Sequence, residues 1–108
     1  MSTFDFTDSA TWGGRPVARR VADARPRERV VVTGTIGATA TVSLGGTASY
    51  SCVLSDGTGE IGVLFIGRRT VAGLASGTRC TVEATAILQD GLLVLWNPLY
   101  RIESNDAA

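Results

Sequence analysis

Arginine supplies every basic side chain of this chain, and its placement is a strong chemical signal. All ten Lys and Arg residues are arginine, and ten acids balance them to a formal net charge of zero. Six arginines fall within residues 13–29, where Asp23 and Glu28 are the only acids. A guanidinium donates paired hydrogen bonds to phosphate oxygens and stacks on flat rings. This leader is therefore either a phosphate-contacting arm or a solvated basic lead-in.

Five arginines stand where contact with a nucleic-acid backbone is predicted. Phosphate contacts supply most of the sequence-independent affinity for nucleic acids. Arg27 and Arg29 end the leader, Arg68 and Arg69 follow the apolar run 60–66, and Arg79 lies at the start of the alternating run 78–87. A solvated or acid-paired surface explains the same residues, so both interpretations stay open. The five are Arg27, Arg29, Arg68, Arg69 and Arg79.

Aromatic rings form the second candidate group, because single-strand binders stack bases on exposed rings, at about 1–3 kcal/mol per base. Tyr50 and Phe65 lie on predicted strands but share the parity of apolar neighbours, which favours the core. Trp96 ends the run 92–96, on the parity opposite to its core-facing leucines. An apolar stripe exposed to water is unfavourable, so we expect another group to cover it. The N-terminal segment, a second subunit or a ligand base would each provide one.

The glycines of residues 57–62 match the spacing Gly-x-Gly-x-x-Gly. In a dinucleotide site this motif opens a helix. Here a β-like run follows, which favours a hairpin turn. Gly62 would then be uncovered, so that another backbone or a flat base could approach it closely.

The sequence contains no motif that indicates a catalytic site or a metal site. Histidine is absent, and Cys52 and Cys80 stand far apart without a Cys-x-x-Cys pair. Zinc sites of the usual kinds are thereby excluded, and buried free thiols are predicted. No nucleophile elbow or phosphate-loop lysine occurs. We therefore expect a non-enzyme with no metal or cofactor. The sequence shows no signal peptide and no apolar run near ~18 residues, so no membrane contact and a cytoplasmic location are predicted.

Five strands and one helix must position these residues. Alternating apolar residues predict strands at 29–41, 47–55, 60–66, 78–87 and 92–96. Gly45-Gly46, residues 56–59 and Asp90-Gly91 read as turns. A short helix is predicted from 67 to 74, and a helical turn at 16–22. Gly34 and Gly37 would let the first strand coil sharply.

This order, with a helix between strands three and four, predicts an all-β chain: a five-stranded Greek-key OB barrel. Length allows one domain. We expect a flexible basic leader over residues 1–20, the OB domain over 21–103 and a frayed tail over 104–108.

Several segments resemble known OB-fold domains. Residues 27–36 resemble the opening strand of anticodon-binding-type OB domains, and residues 55–65 resemble their turn and next strand. Residues 67–77 and Asn97-Pro98-Leu99-Tyr100 are similar to small actinobacterial OB-fold nucleic-acid-binding proteins and to the wedge domain of branch-migrating helicases. The resemblance covers about residues 21–103. It implies binding of a nucleic acid, and single-stranded DNA or RNA is the target we expect.

The sequence therefore predicts a non-catalytic nucleic-acid-binding module. The alternative is a protein–protein or homodimer module without nucleic-acid binding, joined through the fifth strand, which zero net charge and the apolar run 92–96 favour. The predicted nucleic-acid contacts are Arg27, Arg29, Tyr50, Phe65, Arg68, Arg69, Arg79 and Trp96.

Overall fold

A computed structural model describes residues 16–103, most of which lie in seven β-strands. The predicted tail and residues 1–15 of the predicted leader lie outside the described residues. The single 3₁₀ turn of the described part is η1 (Val21–Asp23). The strands are β1 (Val17–Ala18), β2 (Arg29–Leu44), β3 (Thr47–Ser55), β4 (Glu60–Ile66), β5 (Arg79–Gln89), β6 (Leu92–Trp96) and β7 (Leu99–Ile102).

The strands pair around a ring, which confirms the all-β prediction. Their order is β1-β2-β3-β4-β6-β5-β7, and β2 pairs additionally with β5. Residues 29–35 of β2 pair with β5, and residues 35–44 pair with β3. The ring is uneven, since only three residue pairs join β4 to β6 and the β2–β3 register shifts between Ile36 and Thr39. Strands β1 and β7 extend the sheet beyond the five predicted strands.

The helix predicted at 67–74 is wrong, because residues 16–103 contain no α-helix. Gly67 and Gly73 both have φ of +80°, which a right-handed helix does not accept. The stretch folds as successive turns instead and buries Val71 and Leu74 against the core. The helical turn predicted at 16–22 is likewise replaced, by β1 and η1.

The core lies inside the ring and follows the predicted parity. Val30, Val32 and Ile36 of β2 are buried, and Cys80 and Val82 of β5 face them. Both cysteines are free and buried. This pattern matches strands with one face toward a packed interior.

Gly34 marks the point where β2 passes from one neighbour to the other. A Cβ there would lie 2.5 Å from the carbonyl oxygen of Ser55 and 3.2 Å from Cγ of Leu54. Gly37 has more room, since the nearest atom to a Cβ there is the Val53 oxygen at 3.7 Å. The predicted sharp coiling therefore depends on the absent side chain at Gly34.

The turn between β3 and β4 fastens η1 to the ring. Asp56 Oδ2 accepts the N–H of Val21 at 2.9 Å, and its Oδ1 accepts the N–H of Thr58 at 2.9 Å. The Thr58 hydroxyl in turn accepts the N–H of Ala22 at 3.1 Å. A Cβ on Gly59 would lie 3.2 Å from Cγ1 of Val21. The glycine motif therefore serves a turn and a packing contact.

Candidate nucleic-acid interface

Trp96 is the predicted aromatic that the structure leaves accessible. Its side chain is 42% exposed at the end of β6. The indole Nε1–H donates a hydrogen bond of 3.1 Å to Oε1 of Gln89 on β5. This bond holds the ring in one orientation on the outer face of the sheet. An oriented and partly open ring is what base stacking requires.

The residues that flank Trp96 and Val94 in register are uncharged. In register, Trp96 pairs with Leu64, which pairs with Ser51 on β3. The next row joins Val94, Gly62 and Val53. Leu64 is buried although its parity is outward. We call these six residues the outer patch: Ser51, Val53, Gly62, Leu64, Val94 and Trp96.

Gly62 is not the open approach point that the sequence predicted. A Cβ there would lie 3.3 Å from Cγ2 of Val94 and 3.7 Å from the Leu93 oxygen. The neighbouring strand of this same chain therefore fills the space. Glycine at this position lets β4 and β6 pack closely.

Asn97 joins the end of β6 to β4. Its N–H donates to the Leu64 oxygen at 2.6 Å, and its Oδ1 accepts the N–H of Ile66 at 2.8 Å. Arg68 and Arg69 follow the end of β4, and the Arg69 oxygen accepts a hydrogen bond of 3.0 Å from the Thr41 hydroxyl of β2. Both side chains are exposed, and neither has a hydrogen bond or ion pair within residues 16–103.

Arg27 lies beside the pairing of β5 with β6, the strand that carries Trp96. Its N–H donates to the Ala86 oxygen at 2.7 Å, and Ala86 pairs with Leu95 of β6. Its φ is +67°, an uncommon conformation for a residue with a side chain. The side chain is exposed and has no ion pair within the described residues. Arg27 therefore stays a candidate phosphate contact, but not a member of the outer patch.

The guanidinium of Arg29 is not free, because it forms an ion pair with Glu83. Its Nε donates to Oε2 of Glu83 at 2.9 Å, and the two side chains are 16% and 0% exposed. Breaking such a buried pair would leave an uncompensated charge. The prediction of Arg29 as a phosphate contact therefore conflicts with its position. The other carboxylate oxygen of Glu83 has no hydrogen-bond partner in the described part of the chain.

Tyr50 and Phe65 are buried, with exposures of 8% and 3%, so their predicted role as stacking rings is wrong. The Tyr50 hydroxyl donates to the Leu74 oxygen. The Phe65 ring meets Tyr100 edge-on, with centroids 5.7 Å apart. Both rings point inward because they share the parity of the core residues of β3 and β4.

Arg79 is exposed but distant from the outer patch. It begins β5, whereas β5 pairs with β6 only from Ala86 onward. Its carbonyl oxygen accepts the N–H of Glu103 at 2.9 Å. The structure therefore leaves Trp96, Arg68 and Arg69 exposed on neighbouring parts of the ring, and it places Arg79 at the far end of β5. Sequence reasoning did not select Gln89 or Asn97 as site residues, and Asn97 entered only through the family resemblance of residues 97–100.

Three solved structures share this fold. An OB domain from Thermoplasma acidophilum matches with a TM-score of 0.63 and 16% identity, over 84% of this chain and 91% of its own. The second OB-fold domain of replication protein A from Methanococcus maripaludis matches with a TM-score of 0.61 and 15% identity, over 85% and 98%. The chain has the OB-fold.

A third match is RecG bound to a three-way DNA junction, with a TM-score of 0.60 and 15% identity. It covers 86% of this chain and 13% of the RecG chain. At these identities the three likenesses show the fold alone. No protein-family model and no curated protein matches this sequence.

Residues 16–103 offer no candidate for a metal site or for a membrane-spanning helix. No group of three or more His, Cys, Asp or Glu side chains in that stretch could hold a metal ion. In the same residues, no helix has the length and apolar character needed to cross a membrane.

Proposed function

We propose that this chain is a non-catalytic, cytoplasmic module that binds single-stranded nucleic acid on the outer patch. The observation that carries the proposal is the oriented, partly open indole of Trp96. Arg68 and Arg69, which follow the neighbouring strand β4, are exposed and have no ion pair within residues 16–103. In this arrangement a base stacks on Trp96 and the adjoining phosphates contact Arg68 and Arg69. The OB-fold and its neighbours among nucleic-acid-binding proteins support the same assignment.

The distribution of charge favours single strands over duplexes. A duplex presents its phosphates outward and keeps its bases stacked on each other, so it needs a basic surface. The outer patch has no basic side chain, and the nearest exposed arginines in the chain, Arg68 and Arg69, come only after β4 has ended. Unpaired bases can turn toward such a surface while the backbone stays at the border.

We expect the salt dependence of binding to be shallow. Each neutralised phosphate of a single strand contributes about 0.7 to the slope of log affinity against log salt. With Arg68 and Arg69 as the main contacts, the slope should be about −1.4. The measurement is fluorescence anisotropy with labelled single-stranded and duplex DNA and RNA across a salt series.

Two variants test the residue roles. Trp96→Ala should weaken single-strand binding by about 5- to 150-fold, which corresponds to one lost stacking contact of ~1–3 kcal/mol. Arg68→Ala with Arg69→Ala should flatten the salt slope. The matched controls are Leu99→Ala, an exposed apolar residue of β7, and Arg79→Ala, an exposed arginine outside the patch. Equal losses in variants and controls, or no binding at low salt, would contradict the proposal.

A second candidate function is self-association through the β5–β6 hairpin. Three of the large exposed apolar side chains lie there, namely Leu88, Leu92 and Trp96. Leu92 and Trp96 share the outward parity of β6, and exposed apolar surface of this kind occurs at protein interfaces. Light scattering should then show a dimer that Trp96→Arg dissociates. A strictly monomeric protein at high concentration would exclude this function.

A further inference from the structure

We propose that residues 37–44 of β2, called here the β2 edge, pair with the same residues of a second copy of this chain. The two edges form an antiparallel ladder about a two-fold axis at Thr41. This surface lies away from Trp96 and from the β5–β6 hairpin. The inference therefore goes beyond the proposed function and does not depend on nucleic-acid binding.

The long strand β2 extends beyond its pairing with β5. Residues 29–35 pair with β5, and Ile36 continues that side by donating to the Thr78 oxygen at 2.8 Å and accepting the Gly77 N–H at 2.7 Å. For residues 37–44, β3 is the only pairing strand in the described part of the chain. Residues 38–41, 43 and 44 are exposed. An unpaired edge of this length can accept another strand.

The turn at residues 45–46 determines which backbone groups of the β2 edge are unpaired. Its two glycines have φ of +56° and +83°, as in a two-residue hairpin turn, where the flanking residues exchange two hydrogen bonds. Leu44 and Thr47 are those flanking residues, and from Leu44 backward every second residue of β2 bonds β3. The residues between them direct their N–H and C=O groups away from β3, namely Thr39, Thr41 and Ser43.

Neither charge nor proline protects the β2 edge. Residues 30–55 contain no charged residue and no proline, although 19% of the whole chain is charged. By contrast, Pro16 precedes the outermost strand β1, and Pro98 precedes the outermost strand β7, which contains Arg101. Sheets that avoid association usually carry such residues at their edges. Their absence makes the β2 edge suited to pairing with another chain.

The β2 edge is complementary to itself, which selects a second copy as the occupant. In an antiparallel ladder centred on Thr41, Thr41 faces its own copy and Thr39 faces Ser43 of the second copy. Each of these pairs exchanges two hydrogen bonds, about six in all. Uncharged side chains stand opposite each other, so the ladder brings no like charges into register. Because a two-fold axis uses the same surface on both copies, the product is a closed dimer.

Arg69 makes the proposed dimer sensitive to salt. The Thr41 hydroxyl donates a hydrogen bond of 3.0 Å to the Arg69 oxygen, so the exposed Arg69 of each copy would lie near the axis. Salt screens the repulsion between such like charges. The dimer should therefore tighten as salt rises, whereas nucleic-acid binding should weaken.

Sedimentation equilibrium of the full chain over a range of concentrations measures the Kd of the dimer. Thr39→Lys with Ser43→Lys should raise this Kd at least about tenfold, because lysines then face each other at two places in the ladder. Thr85→Lys with Leu88→Lys adds the same charge to exposed positions of β5 and should leave the Kd unchanged. Mixing the Thr39→Lys, Ser43→Lys chain with a Thr39→Glu, Ser43→Glu chain should restore a dimer, which tests the register.

Amide hydrogen exchange by NMR identifies the edge directly. The N–H groups of Thr39, Thr41 and Ser43 should gain protection as the protein concentration rises. The intervening N–H groups of the β2 edge bond β3 and should be protected at every concentration. Protection that lacks this alternation, or that does not change with concentration, overturns the inference.

The remaining outcomes separate this inference from the proposed function. A protein that stays monomeric at its highest soluble concentration overturns the inference. A dimer that Thr85→Lys with Leu88→Lys dissociates, and that Thr39→Lys with Ser43→Lys leaves intact, assigns association to the β5–β6 hairpin and also overturns it. Trp96→Ala should leave the dimer intact. A dimer of the expected behaviour without nucleic-acid binding supports the inference and overturns the proposed function alone.

Discussion

At the scale of single residues, Gly34 and Gly37 differ sharply although both lie on β2. A Cβ on Gly34 would meet backbone atoms of Ser55 at 2.5 and 2.9 Å, and backbone cannot move aside as a side-chain tip can. A Cβ on Gly37 would have one ordinary contact, at 3.7 Å. Neither glycine has a positive φ, so the difference in their tolerance of a Cβ comes from crowding alone.

We expect Gly34→Ala to lower the free energy of unfolding by about 1–3 kcal/mol, the usual cost of forcing atoms into a packed site. Gly37→Ala should change it by less than ~1 kcal/mol, because alanine narrows the unfolded ensemble without a clash. Urea denaturation of both variants measures the difference. Similar stabilities for the two would show that β2 can shift at Gly34 without penalty.

Sequence parity predicted which residues of β2 and β5 face the core, but it did not predict the pairing of charges on the other face. Arg29 and Glu83 stand far apart in the chain, and β2–β5 pairing alone brings them to 2.9 Å. A polar residue in an alternating strand predicts an exposed side chain. Glu83 instead is buried, because strands flank β5 on both sides at this position.

At the scale of elements, the β3–β4 turn does more than reverse the chain. Burial alone would raise the pKa of Asp56, but hydrogen bonds from the Thr58 hydroxyl and from the N–H groups of Val21, Thr58 and Gly59 hold that pKa below its usual value. The charged form is therefore favoured in the folded state. Glu28, paired with Arg19, and Glu103, bonded to Thr81, also have lowered pKa values.

A lowered pKa stabilises the fold above the unfolded value and loses that contribution as pH falls through the folded value. We therefore expect the thermal midpoint to be flat near neutral pH and to fall below about pH 4. Asp56→Asn should lower the midpoint at pH 7 and make the acid fall shallower, while Asp90→Asn serves as the turn control. An acid transition that is identical in Asp56→Asn and the wild type would contradict the role of this turn.

The elements themselves were predicted unevenly, for physical reasons. The strands at 47–55, 60–66 and 92–96 have clear alternation between turn residues, and the structure has them at those bounds. β1 and β7 were missed, since two and four residues are too few to show a period. The false helix at 67–74 arose because the φ of Gly67 and Gly73 depends on packing against the ring, which the local sequence does not encode.

At the scale of the whole molecule, the two free cysteines report on the integrity of the core. Burial raises the pKa of the Cys52 thiol to about 11. Burial, with the nearby Cys52 and Glu103, raises the pKa of Cys80 to about 12. Thiolate is the reactive form, so both thiols are unreactive near neutral pH while the ring is closed.

We expect alkylation of native protein to be limited by opening of the fold. The labelling rate at pH 8 should rise with urea in step with the unfolded fraction, and Cys52 and Cys80 should react together. Mass spectrometry of a labelling time course, with the single variants Cys52→Ala and Cys80→Ala, measures this. Rapid labelling of one thiol in the absence of urea would show that part of the ring opens independently.

The candidate site is also a property of the whole molecule. The sequence selected Trp96, Arg68 and Arg69, but only the parallel β4–β6 pairing sets the strand that precedes the arginines beside the strand of Trp96, and all of β5 separates those two strands in the chain. Strand parity already favoured the core for Tyr50 and Phe65, but it does not say how much of each ring a closed sheet covers. Closure decided that question, and it left one of the three predicted rings accessible.

The double pairing of β2 has a consequence for how fast this protein forms. The β2–β3 hairpin joins neighbouring segments, and hairpins close within about 1–10 μs. In the other half of β2, Arg29 must pair with Thr85, roughly fifty residues further along the chain, before the ring can close. Folding should therefore take milliseconds to seconds, as for other chains dominated by distant pairings. The outer patch also needs a distant pairing, because β4 joins β6 across all of β5. Ligand binding should therefore begin only after such slow pairings have formed.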